Sequence, residues 1–144
     1  MSLDMFVDAF SEDGENEFPR TLVEQAFAPF VEDVKDTHWC LNLRSGEQTS
    51  VNMDVDESEL IDGFSINRPP SYESFPEFWD ALYQALRQTR AFCFVAGAKE
   101  DPNCCAANPD VMNEVPETVQ EIAEPRGGPR LVASAAELEA ALFD

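Results

Sequence analysis

The sequence predicts a single α+β domain over residues 1–144, with an antiparallel sheet and helices packed on one face of it. Three observations support this. Apolar and polar residues alternate with period two in several short segments, and other segments repeat apolar residues at helical spacing. The elements follow the order strand, helix, hairpin, helix, strand, which is the split βαβ order of a ferredoxin-like fold. Residues 100–144 are predicted to be a Pro-rich, irregular C-terminal addition that ends in a short helix.

The first half of the chain supplies a strand, a helix and a hairpin. Residues 3–10 alternate between two faces and predict the strand. Pro19 suits the first turn of the helix that follows, and Pro29 marks the end of that helix or an irregular last turn. Residues 39–43 and 51–55 each alternate around a Gly46 turn and predict the hairpin.

The second half begins with a short strand-like segment at residues 64–67, which Pro69 and Pro70 stop. A broad apolar stripe over residues 75–86 predicts a helix opened by a capping box at Ser74. Residues 92–96 form a continuous apolar run typical of an interior strand. After Gly127 and Gly128, Leu131 and Val132 predict an edge strand, and Ser134 opens the terminal helix with a second capping box.

Negative charge is concentrated in three parts of the chain. The formal net charge is −20, from 29 acids and 9 bases. Residues 4–17, 47–62 and 100–124 carry six, six and seven acids, respectively, and no Lys or Arg. The rest of the chain is nearly neutral, so the charge is a local property, and local charge can act on a partner.

The ferredoxin-like order also predicts where these acids meet. A right-handed crossover makes the first two predicted strands parallel and the third and fourth antiparallel to them, provided that residues 64–67 are not an independent central strand. The connections at residues 32–36, 56–62 and 100–101 then lie at one end of the sheet. The acids expected to contact a partner there are Asp56, Glu57, Glu59, Asp62, Glu100 and Asp101.

This charge distribution predicts a non-catalytic acidic protein that masks a basic protein surface, as an immunity protein or an inhibitor of a nuclease-like toxin does. The nine bases are dispersed, which argues against direct binding of nucleic acid. The chain has neither the apolar run of a membrane span nor a secretory signal pattern, so we expect a cytoplasmic protein without a membrane partner.

We do not expect an enzyme, because no catalytic set of residues is assembled. His38 is the only histidine, so any Ser-His-Asp or Cys-His mechanism has to use it. His38 is predicted on the sheet surface, on the same strand face as Cys40. An enzyme or small-ligand domain with a pocket near His38 and Cys40 is the alternative prediction.

The other cysteines predict neither a nucleophile nor a metal site. Cys93 lies in the apolar run and is predicted in the core. Cys104 and Cys105 are predicted in a loop, where nearby Glu100 and Asp101 raise the pKa of the thiols. We expect no cofactor and no metal, because the chain has no P-loop, dinucleotide fingerprint or spaced Cys pair.

A third prediction assigns the charge to solubility alone. In that case the domain pairs with itself as a homodimer through an uncovered face of the sheet.

Overall fold

A mixed sheet organises the described part of this computed structural model, which comprises residues 4–9, 17–35, 40–43, 49–53, 60–96, 104–113 and 115–143. In chain order the strands within these ranges are β1 (Asp4–Asp8), β2 (Phe18–Pro19), β3 (Val31–Lys35), β4 (Cys40–Leu43), β5 (Ser50–Met53), β6 (Leu60–Ile61), β7 (Gly63–Asn67), β8 (Phe92–Ala96), β9 (Cys104–Ala106) and β10 (Arg130–Leu131). Eight of them form one sheet in the order β10-β9-β8-β1-β7-β5-β4-β3, and β2 pairs with β6 separately. The chain therefore has the α+β class that the sequence predicts.

Three helices cover one face of this sheet. They are α1 (Arg20–Phe27), α2 (Pro76–Arg87) and α4 (Ala135–Phe143), and α2 packs against both of the others. Because successive side chains of a strand point to opposite faces, Met5 and Val7 of β1 face these helices and are buried. The main core lies between this sheet face and the three helices.

Helix α2 forms where the apolar stripe predicts it. Phe78, Trp79, Leu82, Ala85 and Leu86 are buried in the core. The indole Nε1 of Trp79 donates a hydrogen bond to the carbonyl oxygen of Pro70, 2.9 Å away, so this buried N–H group has a partner. The predicted Ser74 capping box is wrong, since the N-cap residue is Phe75 and no side chain caps the helix.

The opposite face of the sheet is covered at one side by α3 (Glu117–Ala123) and the 3-10 helix Pro109–Asn113. Phe92 and Ala106 contribute to a second core there, together with Val119 and Ala123. The expectation of helices on one face only is therefore wrong.

Two further 3-10 helices in the described ranges are Ala28–Phe30 and Glu124–Arg126.

Along β1, β5 and β7 this second face is open. The side chains that point to it are Asp4, Phe6, Asp8, Ser50, Asn52, Ser65 and Asn67, of which Ser50 is buried and the others are half-buried or exposed. They are mostly polar, whereas Met5, Val7, Val51 and Ile66 on the helix-covered face are buried. Within the described ranges, this part of the sheet faces solvent, and we call it the open face.

The ferredoxin-like order is not confirmed. β1 is antiparallel to both neighbours, β7 and β8, and β7 is a central strand of the sheet. The predicted parallel relation between the first strand and the first hairpin strand is wrong, because β3 intervenes between α1 and β4. From β1 through β7, β5 and β4 to β3, every neighbouring pair of strands is antiparallel. β3 therefore runs in the same direction as β1, and β4 runs in the opposite direction.

Candidate functional site

Of the six acids predicted to contact a partner, only Asp62 is in the described ranges. Its side chain is exposed, directly before β7. Asp56, Glu57, Glu59, Glu100 and Asp101 lie outside the described residues. Their part in a binding surface stays a prediction, although the strands on either side of them show where each segment leaves the sheet.

The segments at 54–62 and 97–103 leave the sheet from opposite ends. Met53, the last residue of β5, pairs with Phe64, and Phe64 pairs with Val7 of β1. Ala96, the last residue of β8, pairs with Asp4 at the other end of β1. The expectation that these two acidic segments share an end is therefore wrong, because it relied on the ferredoxin-like order.

A different pair of acidic segments shares an end instead. The chain after β1 and the chain after β5 leave the sheet at the same end, because β1 and β5 run in the same direction. The Ala9 N–H donates a hydrogen bond to the carbonyl oxygen of Asp62, 2.7 Å away. β2 then pairs with β6, with Phe18 opposite Ile61 and the Phe18 ring edge-on to that of Phe64 at 6.3 Å between ring centroids.

These contacts define an acidic end of the sheet. We use this name for the end formed by Ala9, Glu17, Phe18 and residues 60–62, which flank residues 10–16 and 54–59 in the sequence. Residues 10–17 and 54–62 together contain nine acids and no Lys or Arg. Two of these acids, Glu17 and Asp62, are in the described ranges, and both are exposed. Two base-free segments are thus attached side by side.

A hollow of about 470 Å³ lies on the open face next to the acidic end. The rings of Phe6 and Phe94 are stacked along it, with centroids 5.6 Å apart and planes 22° apart. Asn52, Ser65, Asp8 and Asp62 are the polar residues of its described lining, and Asp8 lies on the same strand face as Phe6. The hollow combines aromatic surface, hydrogen-bond acceptors and negative charge, and its volume is in the ordinary range for a small binding site.

Gly63 brings β7 close to β1 beside this hollow. A Cβ atom added at Gly63 would lie 2.5 Å from the carbonyl oxygen of Val7 and 3.3 Å from the Cα atom of Asp8. These distances are too short for a side chain, so glycine allows the close approach of the two strands. Asp62 precedes this glycine, and its carbonyl oxygen accepts the hydrogen bond from the Ala9 N–H group.

The described cysteine side chains have no nucleophilic character. Cys93 is in the core as predicted, and burial, followed by the effect of neighbouring Cys105 and Cys104, raises its pKa well above the ordinary value. The predicted loop at Cys104 and Cys105 is wrong, because both lie buried in β9. Burial raises the pKa of each to about 12, so desolvation is the main cause rather than nearby acids.

His38 lies outside the described residues, as does the side chain of Cys40 in β4, so the predicted pocket near this pair is untested. In the described ranges, no group of three or more His, Cys, Asp or Glu residues is arranged to hold a metal ion. Nor does any helix in this part of the chain have the length and apolar character to cross a membrane.

The hollow was not predicted from the sequence, although part of its signal was present. The alternation in residues 3–10 places Phe6 and Asp8 on the face opposite Met5 and Val7. The stacking partner Phe94 and the polar groups of Asn52 and Ser65 come from other strands. Only the strand order brings these side chains together.

Comparisons with protein-family models, with curated proteins and with solved structures found no match. The acidic end and the adjacent hollow are therefore the features from which a function is inferred.

Proposed function

We propose that this protein is a non-catalytic acidic binding protein that covers a basic surface of another protein, as an immunity protein or an inhibitor of a nuclease-like toxin does. The observation that supports this proposal is the attachment of two base-free acidic segments at one end of the sheet. The Ala9–Asp62 hydrogen bond and the β2–β6 pairing hold their ends together. The partner in this proposal is a basic protein, met in the cytoplasm, and not nucleic acid or a membrane.

Charge of this density acts on a partner mainly through association. Like charges fixed on one end of a rigid framework create a local field that attracts a basic surface and orients it before contact. Such steering raises association rate constants toward about 10⁸–10⁹ M⁻¹s⁻¹ at low salt. Salt screens the field over about 10 Å at 0.1 M, so the rate falls as salt is added.

The acids at this end are the main binding residues in the proposal. They include Asp56, Glu57, Glu59 and Asp62, joined by the acids of residues 10–17. Glu100 and Asp101 follow a strand that ends at the opposite side of the sheet, so we assign them a separate and secondary contact.

The experiment begins with isolating the partner. The tagged protein is used to capture its partner from lysate, and the purified partner is then used for association kinetics. We expect the association rate to fall at least about tenfold between 0.05 M and 0.5 M salt, as expected for steering by several charges. A tight complex whose association rate does not depend on salt would contradict the electrostatic mechanism.

A pair of variants with the same net charge tests the location. The triple variant Asp56→Asn, Glu59→Gln and Asp62→Asn is expected to slow association. The control Glu73→Gln, Glu77→Gln and Asp80→Asn removes three exposed acids in or before α2, on the helix-covered side of the sheet. Equal slowing in the two variants would show that only total charge matters.

A further inference from the structure

We propose that the hollow on the open face binds an arginine side chain of the basic partner. This inference rests on the proposed function and adds a specific contact to it. The acidic end attracts the partner, and the hollow then recognises one planar cation.

The aromatic part of the hollow suits a guanidinium group. The Phe6 and Phe94 rings stack on each other, and both are half-buried, so each ring keeps part of its surface exposed. A guanidinium group is planar and weakly hydrated, and it stacks on an aromatic face more readily than an ammonium group does. The aromatic wall therefore favours arginine over lysine.

The polar part of the hollow supplies acceptors for the guanidinium N–H donors. Asp8 is paired in register with Gly63, so its Cα lies beside the residue that follows Asp62. The hydrogen bond from Ala9 N to the Asp62 carbonyl oxygen fixes the backbone of Asp62, the second acidic residue of the described lining. Carboxylate oxygens form paired hydrogen bonds with arginine, and the Asn52 carbonyl and Ser65 hydroxyl add neutral acceptors.

The charge of the lining selects a cation from among the possible occupants. Among the described residues that line the hollow, two are acidic and none is Lys or Arg, so an anion such as a phosphate is repelled. Its volume of about 470 Å³ leaves room for a complete side chain. The net charge of −20 also opposes a second copy of this chain as the occupant.

The test uses two peptides of equal charge, nona-arginine and nona-lysine, with the full-length protein. We expect nona-arginine to bind about two- to fivefold more tightly, the ratio that corresponds to one exposed cation–π contact. In ¹H–¹⁵N spectra, the shifts specific to nona-arginine are expected at the amides of Phe6, Asn52, Ser65 and Phe94. Equal affinities, or arginine-specific shifts elsewhere, would overturn the proposal.

Two substitutions in the hollow test the contact independently. Phe6→Leu keeps an apolar side chain and is expected to lower nona-arginine affinity more than nona-lysine affinity, so that the preference for arginine is lost. Ser65→Lys places a cation in the hollow, and this cation repels the guanidinium group in addition to blocking its contact with the rings. We therefore expect nona-arginine affinity to fall by more than about fivefold. The two variants check each other if one of them fails to fold.

Asp62→Asn and Asp80→Asn form the matched control, because each removes one exposed acid. Asp62→Asn is expected to weaken nona-arginine more than Asp80→Asn does, since Asp80 lies in α2. Equal weakening would contradict a role for the hollow.

The outcomes separate this inference from the proposed function. If the isolated partner still binds with strong salt dependence but is insensitive to Phe6→Leu and Ser65→Lys, the inference is overturned and the proposed function remains. If neither peptide nor any basic protein binds, both are overturned. Dimerisation in sedimentation experiments, with shifts at the hollow residues in the absence of peptide, would assign the hollow to a second copy and overturn the inference.

Discussion

At the scale of single residues, Gly63 shows how one position shapes the site. The backbone at Gly63 passes so close to Val7 that no side chain fits without a shift of β1 or β7. Both strands contribute to the hollow and to the acidic end. A small change at Gly63 is therefore expected to affect both stability and the proposed binding.

Gly63→Ala is expected to destabilise the protein by about 1–3 kcal/mol, the usual cost of inserting an atom into a closely packed region. Chemical denaturation gives the free energy of unfolding. Ser65→Ala is the control on the same strand, because Ser65 is half-buried and the change is expected to cost less than about 0.5 kcal/mol. Equal stability of Gly63→Ala and the wild type would show that the strands separate easily here.

The buried thiols predict a loss of stability at alkaline pH. Thiols of the unfolded chain ionise near pH 9, whereas burial raises the pKa of Cys104 and Cys105 in the folded protein to about 12. Unfolding therefore releases protons above pH 9, and the free energy of unfolding falls as pH rises from about 9 toward 12.

The measurement is denaturant unfolding at a series of pH values. Cys104→Ala removes one of these groups and is expected to make the decline with pH shallower. A parallel decline in the wild type and the variant would show that Cys104 does not contribute.

At the scale of elements, the spacing of apolar residues predicted the helices and strands in which that spacing is regular. The stripe of α2 and the alternation of the β4–β5 hairpin each contain enough regular positions to identify the element. β3 was missed because of a bulge between Val31 and Asp33. Because of the bulge, Val31 pairs with Leu43 and Val34 pairs with Leu41. Two residues that are three apart in β3 thus pair with residues that are two apart in β4, and the alternation of apolar and polar residues expected of a strand is lost from the sequence of β3.

The two predicted capping boxes differ in outcome, and this difference is measurable. The backbone N–H of Glu137 donates to the Ser134 hydroxyl oxygen at 3.1 Å, so Ser134 caps α4. The Ser74 hydroxyl accepts from Ser71 instead, before α2 begins. Ser134→Ala is therefore expected to cost about 0.5–2 kcal/mol in thermal or chemical unfolding.

Ser74→Ala is the control for this measurement, with an expected cost below about 0.5 kcal/mol. A larger loss for Ser74→Ala than for Ser134→Ala would reverse the assignment of the caps.

At the scale of the whole molecule, the negative charge opposes folding, whereas in the proposed function it promotes binding. With a net charge of −20, repulsion between acids favours expanded states of the chain. The melting temperature is expected to rise by several degrees between about 0.02 M and 0.5 M sodium chloride, because salt screens this repulsion. Calorimetry at fixed pH provides the measurement, and an unchanged or lower melting temperature would contradict the prediction.

The sequence predicted the location of charge along the chain but not its location on the molecule. Counting acids identified residues 4–17 and 47–62 without any structure. Their shared end depends on the directions of β1 and β5, which follow from β3 and from the central position of β7. Neither feature has a local sequence signal strong enough to determine the strand order.

The two outer strands of the sheet bear on how the protein avoids aggregation. A long, flat edge strand offers unpaired backbone groups to a neighbouring molecule. Among the described strands, one edge is β10, which is two residues long, and the other is β3, which contains a bulge and three charged residues in five. Short, bulged and charged edges resist the addition of a foreign strand, so the sheet is protected against edge-to-edge growth at high protein concentration.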